Sequence, residues 1–349
     1  MSEDEKKIVE ISELGEFGLL EHLTKNIKIK HSSTVKGVGD DAAVLNHKGK
    51  HTLVTTDILI EGIHFDLVYT PLKHLGYKAA IVNFSDIYAM NAIPKQITVS
   101  IAVSSKISLQ AIEKIYQGIY LACDKYDVDL IGGDTSSSVT GMVINITAIG
   151  EANKKDIVYR NGAKINDIIC VSGNLGAAYM GLQLLEREKT VFNTNSKMQP
   201  EFGGNEYILE KLLKPEARKD IIELFMEKEI KPTSMIDVSD GLSSELFHIC
   251  TQSETGCNIY EDKLPIDTNT EKMAKEFNID PTICVLNGGE DYELLFTISV
   301  KDYDKIKDIE LISIIGHITN KKDGLNLIVK NGTSVELQAQ GWNTLKNEE

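Results

Sequence analysis

Carboxylates placed against apolar runs constrain this chain more than any other feature. Asp40 and Asp41 sit in GVGDDAAV, Asp57 ends HTLVTTD, Asp86 ends IVNFSD and Asp134 ends DLIGGD. Asp237 and Asp240 follow in MIDVSDGL, and Glu290 and Asp291 in NGGEDYELL. A carboxylate beside a buried run is costly unless something positive meets it. No cation is encoded near these strings, so bound divalent ions are the expected counter-charge. An Asp at a strand end is more often a turn former or helix cap. The ion-binding reading therefore rests on the whole set and not on any one string.

The remaining composition narrows the class. At 349 residues, 42% hydrophobic and 26% charged, the chain has the makeup of a globular protein of about two domains. A formal charge of −15 argues against nucleic acid as a main partner, because phosphate backbones are gripped by Lys and Arg. Only Arg160, Arg187 and Arg218 supply guanidinium groups, so any polyphosphate would depend on metal ions for neutralisation. Five dispersed cysteines without a C-x-x-C read as reduced core thiols of a cytoplasmic protein. An acidic start without a long apolar stretch predicts no signal peptide, and no run is long enough to span a membrane.

Periodicity predicts a mixed α/β (α+β) chain. Ile11 to Leu23 suggests a short helix, 51–65 a strand and 72–90 a helix on which Asn83 and Asp86 share a face. QITVSIAV, VDLIGG and GMVINITAIG read as strands, and Ser108 as the N-cap of an intervening helix. The pattern then restarts, placing a boundary near 155. NDIICVSG, TSMIDVS, NIYEDKL, YELLFTIS, LISIIGHIT and NLIVKNG are the predicted strands of the second half. Residues 187–207 read as a polar surface insertion. Ser239 or Asp240 is expected to cap the helix that begins in DGLSSEL. VSGNLGAAYMG opens a helix with glycines that serve either close packing or an anion at the free N–H groups. The two glycines of GGDT serve either a tight turn or a nucleotide's approach. His64 and Trp342 have structural readings of their own, the second as a terminal anchor or a stacking platform.

There is no G-x-x-x-x-G-K-[ST] loop, no H-R-D loop and no full dinucleotide fingerprint. Instead GEFGLL, GVGDDAAV, TTDILIEGIHF, NFSDIYAM, LIGGDT, RNGAK, DVSDGLSSEL and GGEDYELLF occur in that order. Together they strongly resemble the thiamine-monophosphate kinase family, a relative of aminoimidazole ribonucleotide synthetase, selenophosphate synthetase and a hydrogenase-maturation protein. The resemblance implies an N-terminal domain (1–155) whose sheet forms a dimer barrel, and a C-terminal α/β domain (156–349) that completes the substrate site. It implies transfer of the ATP γ-phosphate to thiamine monophosphate with several Mg²⁺ ions, in a cytoplasmic homodimer. Carried over by position, Asp41, Thr55, Thr56, Asp57, Asp86, Asp134, Asp237 and Asp240 would ligate metal. Tyr116, Gly133, Asp134, Arg160 and Ser239 would contact ATP, and His64, Glu290 and Trp342 the thiamine substrate. Transfer would proceed by metal and positioning, with Asp57, Asp86 and Asp134 favoured. The sister selenophosphate branch usually carries an N-terminal reactive Cys or Sec, whereas the first cysteine here is Cys123. A non-catalytic nucleotide-binding role is the reading from a different class.

Overall fold

The structure, a computed structural model, describes residues 34–36, 39–47, 49–104, 106–194 and 202–338. The expected helix at 11–23 and Trp342 lie outside them. Two mixed sheets organise the chain. The first has strands β1 (Thr34–Lys36), β2 (Ala43–His47), β3 (Lys50–Ile60), β4 (Ile93–Val103), β5 (Asp129–Ser137) and β6 (Val143–Ala152), ordered β1-β2-β3-β6-β4-β5. Helix α1 (Leu72–Ala89) joins β3 to β4 and α2 (Leu109–Tyr126) joins β4 to its parallel neighbour β5. Ser108 caps α2 as expected, accepting from the Ala111 N–H at 3.2 Å.

Alternation along these strands gives the first sheet one covered face. Leu53, Leu59, Ile97, Val99, Ile101, Ile144 and Ile146 are buried under the helices. Thr56, Ile58, Thr98, Ser100, Asn145 and Thr147 point the other way, and no described element covers them.

The second sheet is ordered β13-β12-β9-β11-β7-β10-β8. It comprises β7 (Ile168–Ser172), β8 (Ser234–Asp237), β9 (Thr255–Tyr260), β10 (Leu294–Ile298), β11 (Ile312–Asn320), β12 (Leu325–Ile328) and β13 (Ser334–Glu336). Of the helices that follow, α5 (Lys219–Glu227) sets Phe225 against Phe296 of β10 and α6 (Leu242–Ser253) lies on β8 and β9, while α3 (Ala177–Thr194), α4 (Glu206–Leu213), α7 (Thr268–Glu276) and α8 (Pro281–Asn287) share an apolar cluster of their own. The 187–207 stretch is less irregular than its polarity predicts, because α3 runs through to Thr194 and α4 begins at Glu206.

One core joins the sheets, since Cys170, Met235 and Phe296 of the second lie in the same apolar cluster as Phe84, Ile97 and Ile146. Helix α1 runs through this cluster. Every residue from Leu75 to Ala89 except Asp86 is buried, so the helix is enclosed all round, with Lys78, Asn83 and Ser85 as its buried polar groups, and shows no amphipathic stripe. Its small residues permit the approach: a Cβ on Gly76 would stand 1.9 Å from the Ile115 carbonyl oxygen of α2, and one on Gly118 1.9 Å from that of Lys73.

Candidate active site

A cavity of about 130 Å³ opens where α1 passes between β3 and the end of β8. Lys78, Val82 and Asp86 line it from α1, spaced four residues apart on one helix face. Asp57, Ile58, Leu59 and His64 line it from β3 and the turn that follows; Asp237, Ser239, Glu290 and Tyr292 line it from the second half.

One end is acidic. Carboxylate oxygens of Asp41, Asp86 and Asp237 all lie within 4.8 Å of one another. Asp57 enters from β3, its backbone N–H donating to Asn83 Oδ1 at 3.1 Å. Burial and the neighbouring charges of Asp57, Asp237 and Asp41 hold Asp86 far above the ordinary carboxylate range. Burial, then the Asp41 charge, raises Asp237 to about 8. Burial, with a contribution from the Asp41 charge, outweighs a hydrogen bond with Asp86 and lifts Asp57 to about 6. Asp57, Asp86 and Asp237 are thus less willing to ionise, through burial and through the carboxylates beside them. Hydroxyls offset part of this: Ser85 Oγ donates to Asp237 Oδ2 at 2.5 Å, and Thr55 Oγ1 to Asp86 Oδ2. Clustered oxygen donors with a surplus of negative charge fit a hard divalent cation such as Mg²⁺.

The expected absence of nearby cations does not hold for three of these groups: Lys36 Nζ, only four residues earlier in the chain, lies 3.6 Å from Asp40 Oδ2, and Asp41 and Glu290 have partners of their own. Arg160 forms a fork with Asp41, Nε to Oδ2 at 2.9 Å and Nη2 to Oδ1 at 2.8 Å, and its backbone N–H donates to Asp40 Oδ1 at 3.1 Å. Lys78 Nζ pairs with Glu290 Oε2 at 2.8 Å. Arg160 and Lys78 come from positions distant in sequence, which is why local reading missed them, whereas Lys36 stood within reach of it.

The other end holds His64, Lys78 and Glu290. The Ile60 N–H donates to His64 Nδ1 at 3.1 Å, which leaves the ring proton on Nε2. Burial lowers the His64 pKa, Glu290 raises it and Lys78 lowers it again, for a net fall. The ring is therefore neutral at pH 7. Glu290 (φ 56°) and Tyr292 (φ 51°) both adopt left-handed backbone, a conformation that costs a non-glycine residue about 1 kcal/mol or more. Their N–H groups donate to the Ser239 and Val238 carbonyls at 2.7 and 2.9 Å, pinning the segment to the strand that carries Asp237.

Other expected residues lie elsewhere. Thr56 faces the open side of the sheet, where its hydroxyl donates to the Ile146 carbonyl and accepts from Asn145 and Thr147. Asp134 is exposed on edge strand β5. It pairs through Ser100 and Asn145 with Ile58, three strands away and about 14 Å at the usual ~4.8 Å spacing. Gly133 is explained by packing, since a Cβ there would stand 1.8 Å from the Val99 carbonyl oxygen, while Gly132 meets nothing within 4 Å. Tyr116 sits half-buried on α2, its ring 6.0 Å from that of Tyr120. Asp240 lies just outside the cavity lining, its N–H donating to Glu245 Oε1 at 2.9 Å.

Two local expectations change. The α6 N-cap is Gly241 with no side-chain bond, so neither Ser239 nor Asp240 caps it. The N–H groups opening α3 are met from within, Gly176 donating to Asp291 Oδ2 at 2.8 Å. Asp291 therefore serves the helix start and leaves the acidic set. Ser85, Lys78, Tyr292 and the buried Glu245 are site residues that the strings did not single out. For Lys78 a signal existed, its spacing of eight from Asp86.

Residues 39–152 match the family described as AIR synthase related protein, N-terminal domain. Thiamine-monophosphate kinase of Bacillus subtilis (strain 168) is 35% identical over 339 residues, covering 95% of this chain and 100% of that one. The enzyme of the same name from Buchnera aphidicola subsp. Schizaphis graminum is 37% identical, over 95% and 99%. The solved structure of AaThiL complexed with AMPPCP and TMP superposes with a TM-score of 0.83 at 28% identity, covering 97% of this chain and all of that one. Identity of this level along nearly the whole length, on the same two-sheet frame, identifies the chain as a member of the thiamine-monophosphate kinase family.

Proposed function

We propose that this protein transfers the γ-phosphoryl group of ATP directly to thiamine monophosphate, giving thiamine diphosphate and ADP. The observation that carries the reading is a cavity with two chemically distinct ends. Asp41, Asp57, Asp86 and Asp237 converge at one, and His64 and Glu290 stand at the other. The family supports it, as does a neighbour solved with AMPPCP, an unreactive analogue of ATP, together with TMP.

The chemistry needs little of the chain beyond positioning. A phosphate monoester is largely dianionic at pH 7, so the acceptor is already a nucleophile and needs no general base. The obstacle is repulsion between polyanions, about 1 kcal/mol per pair of unit charges at 4 Å in water and more at lower dielectric. Asp41, Asp86 and Asp237, with Asp57 beside them, would hold Mg²⁺, which would supply the neutralisation and alignment that in-line transfer requires. Ser85 and Thr55 orient two of these carboxylates. Arg160, once released from Asp41, reaches the nucleotide. His64 and Glu290 orient the acceptor.

The finer parts of the reading belong with it: residues 1–155 and 156–349 as two domains, several Mg²⁺ ions, a cytoplasmic setting and a homodimer. The uncovered face of the first sheet and the exposed edge strand β5 support the dimer. A second copy closing that face would cover the edge and give Thr56 and Asp134 a partner surface. Among the described residues no helix is long and apolar enough to cross a membrane. Incubation with ATP, Mg²⁺ and thiamine monophosphate should yield ADP and thiamine diphosphate in equal amounts by chromatography. Absence of product across a range of Mg²⁺ concentrations rejects the function, and a monomeric mass by light scattering rejects the dimer.

A further inference from the structure

Lys78 is the one cation lining the cavity among the described residues. Its side chain is 6% exposed while that of Glu290 is 32% exposed. The amine is thus anchored in the body of α1 and the carboxylate reaches the opening. An ammonium so deeply placed is costly unless paired, and Glu290 is its partner. Lys78 lies eight residues before Asp86, about 12 Å along the helix at 1.5 Å per residue. It therefore stands at the far end of the cavity from the carboxylate cluster, away from where phosphates would gather. Glu290 is already fixed at its backbone by Ser239, and a left-handed φ of 56° removes the slack that ordinary turns have. The side-chain torsions are the freedom left to it, and Lys78 removes that.

Resting on the functional reading above, we propose that Lys78 is the positioning residue of the acceptor end. It holds the Glu290 carboxylate in the direction that meets the thiamine moiety. It thereby sets affinity for the acceptor without contacting the transferred phosphoryl group. Lys78 acts through Glu290, so removing either residue abolishes the same interaction.

Steady-state kinetics on Lys78→Met, Lys78→Arg, Glu290→Gln and the Lys78→Met/Glu290→Gln double variant test this. In Lys78→Met the KM for thiamine monophosphate should rise about tenfold, with kcat and the ATP KM within about threefold of wild type. Lys78→Arg should recover most of the loss. In the Glu290→Gln background, Lys78→Met should add less than about twofold, the signature of two residues acting as one unit. An unchanged acceptor KM in Lys78→Met overturns the proposal. So do multiplying effects in the double variant, or a loss confined to kcat. If Lys78→Met does not fold, the Lys78→Arg and Glu290→Gln variants decide: the proposal requires a smaller acceptor-KM change in the first than in the second, and the reverse order overturns it. A wild-type protein that makes no thiamine diphosphate sinks the functional reading and this assignment with it. A wild type that does, with any overturning result above, sinks the assignment alone.

Discussion

Two groups of buried carboxylates in this molecule are treated in opposite ways. Glu293, on the way into β10, is 2% exposed and fully answered. Arg218 Nη1 and Lys211 Nζ pair with it, and Ser172 Oγ donates to Oε2 at 2.6 Å. At the acidic end of the cavity, Asp41, Asp57, Asp86 and Asp237 share one guanidinium between them. The first arrangement is a closed structural network that needs nothing further. The second is left short of counter-charge by the fold, and burial together with neighbouring carboxylates raises Asp57, Asp86 and Asp237. A protein that can neutralise a buried carboxylate so completely at Glu293, yet leaves four together elsewhere, has an incomplete site there, with the remaining positive charge to come from ligands.

The largest effect that would break this contrast is on turnover. Asp86→Asn should lower kcat/KM at least about a hundredfold. The ligand-free protein should melt at the same temperature or higher, because the change removes a carboxylate repelled by its neighbours. A melting point that falls in step with activity would make Asp86 structural. Asp57→Asn should behave likewise.

Glu293→Gln should do the converse. It leaves the buried Arg218 and the half-buried Lys211 with reduced compensation, at a cost of about 3 kcal/mol in urea unfolding, while both KM values stay within about threefold. An unperturbed stability would erase the distinction between the two regions.

A smaller effect is the pH dependence of ligand-free stability. Asp57 at about 6 and Asp237 at about 8 lie above the unfolded value near 3.9, so the folded state binds more protons than the unfolded state between these limits. Stability should therefore fall as pH rises from about 4 to about 8. Mg²⁺ should raise the melting temperature more at pH 8 than at pH 5.5, where protons compete for the same oxygens. Scanning fluorimetry with and without Mg²⁺ checks both signs, and a Mg²⁺ response equal at the two pH values would count against the cluster as the ion site.

Ser85→Ala is the mildest. Loss of one hydroxyl on Asp237 is worth about 1 kcal/mol, so the Mg²⁺ concentration for half-maximal activity should rise by about fivefold. No change would remove Ser85 from the set that orients the carboxylates.

Much of the fold was legible because it is written locally. The helix at 72–90, the Ser108 cap and the strand–turn–helix around Asp237 depend on neighbours a few residues away. Where local reading failed, a partner from another element had intervened. The α6 start is capped by no side chain because Glu245 takes the Asp240 N–H instead. Asp291 left the acidic set because the α3 N-terminus, over a hundred positions earlier in the chain, offered it N–H groups. Gly133 reads in isolation as room for a nucleotide and proves to be room for the Val99 carbonyl.

By itself, then, the sequence determined the element order, the carboxylates available and, through ordered strings of residues, the family. The tertiary structure decided which carboxylates meet. It brought Asp41, Asp57, Asp86 and Asp237 together, turned Thr56 to the far face of β3, left Asp134 on an edge strand and matched Lys78 to Glu290 and Arg160 to Asp41. The physical reason is range. Backbone conformation and capping are set by torsions and hydrogen bonds within a few residues. Neutralising a buried charge requires contact at about 3 Å between groups that only packing of the whole chain can bring that close.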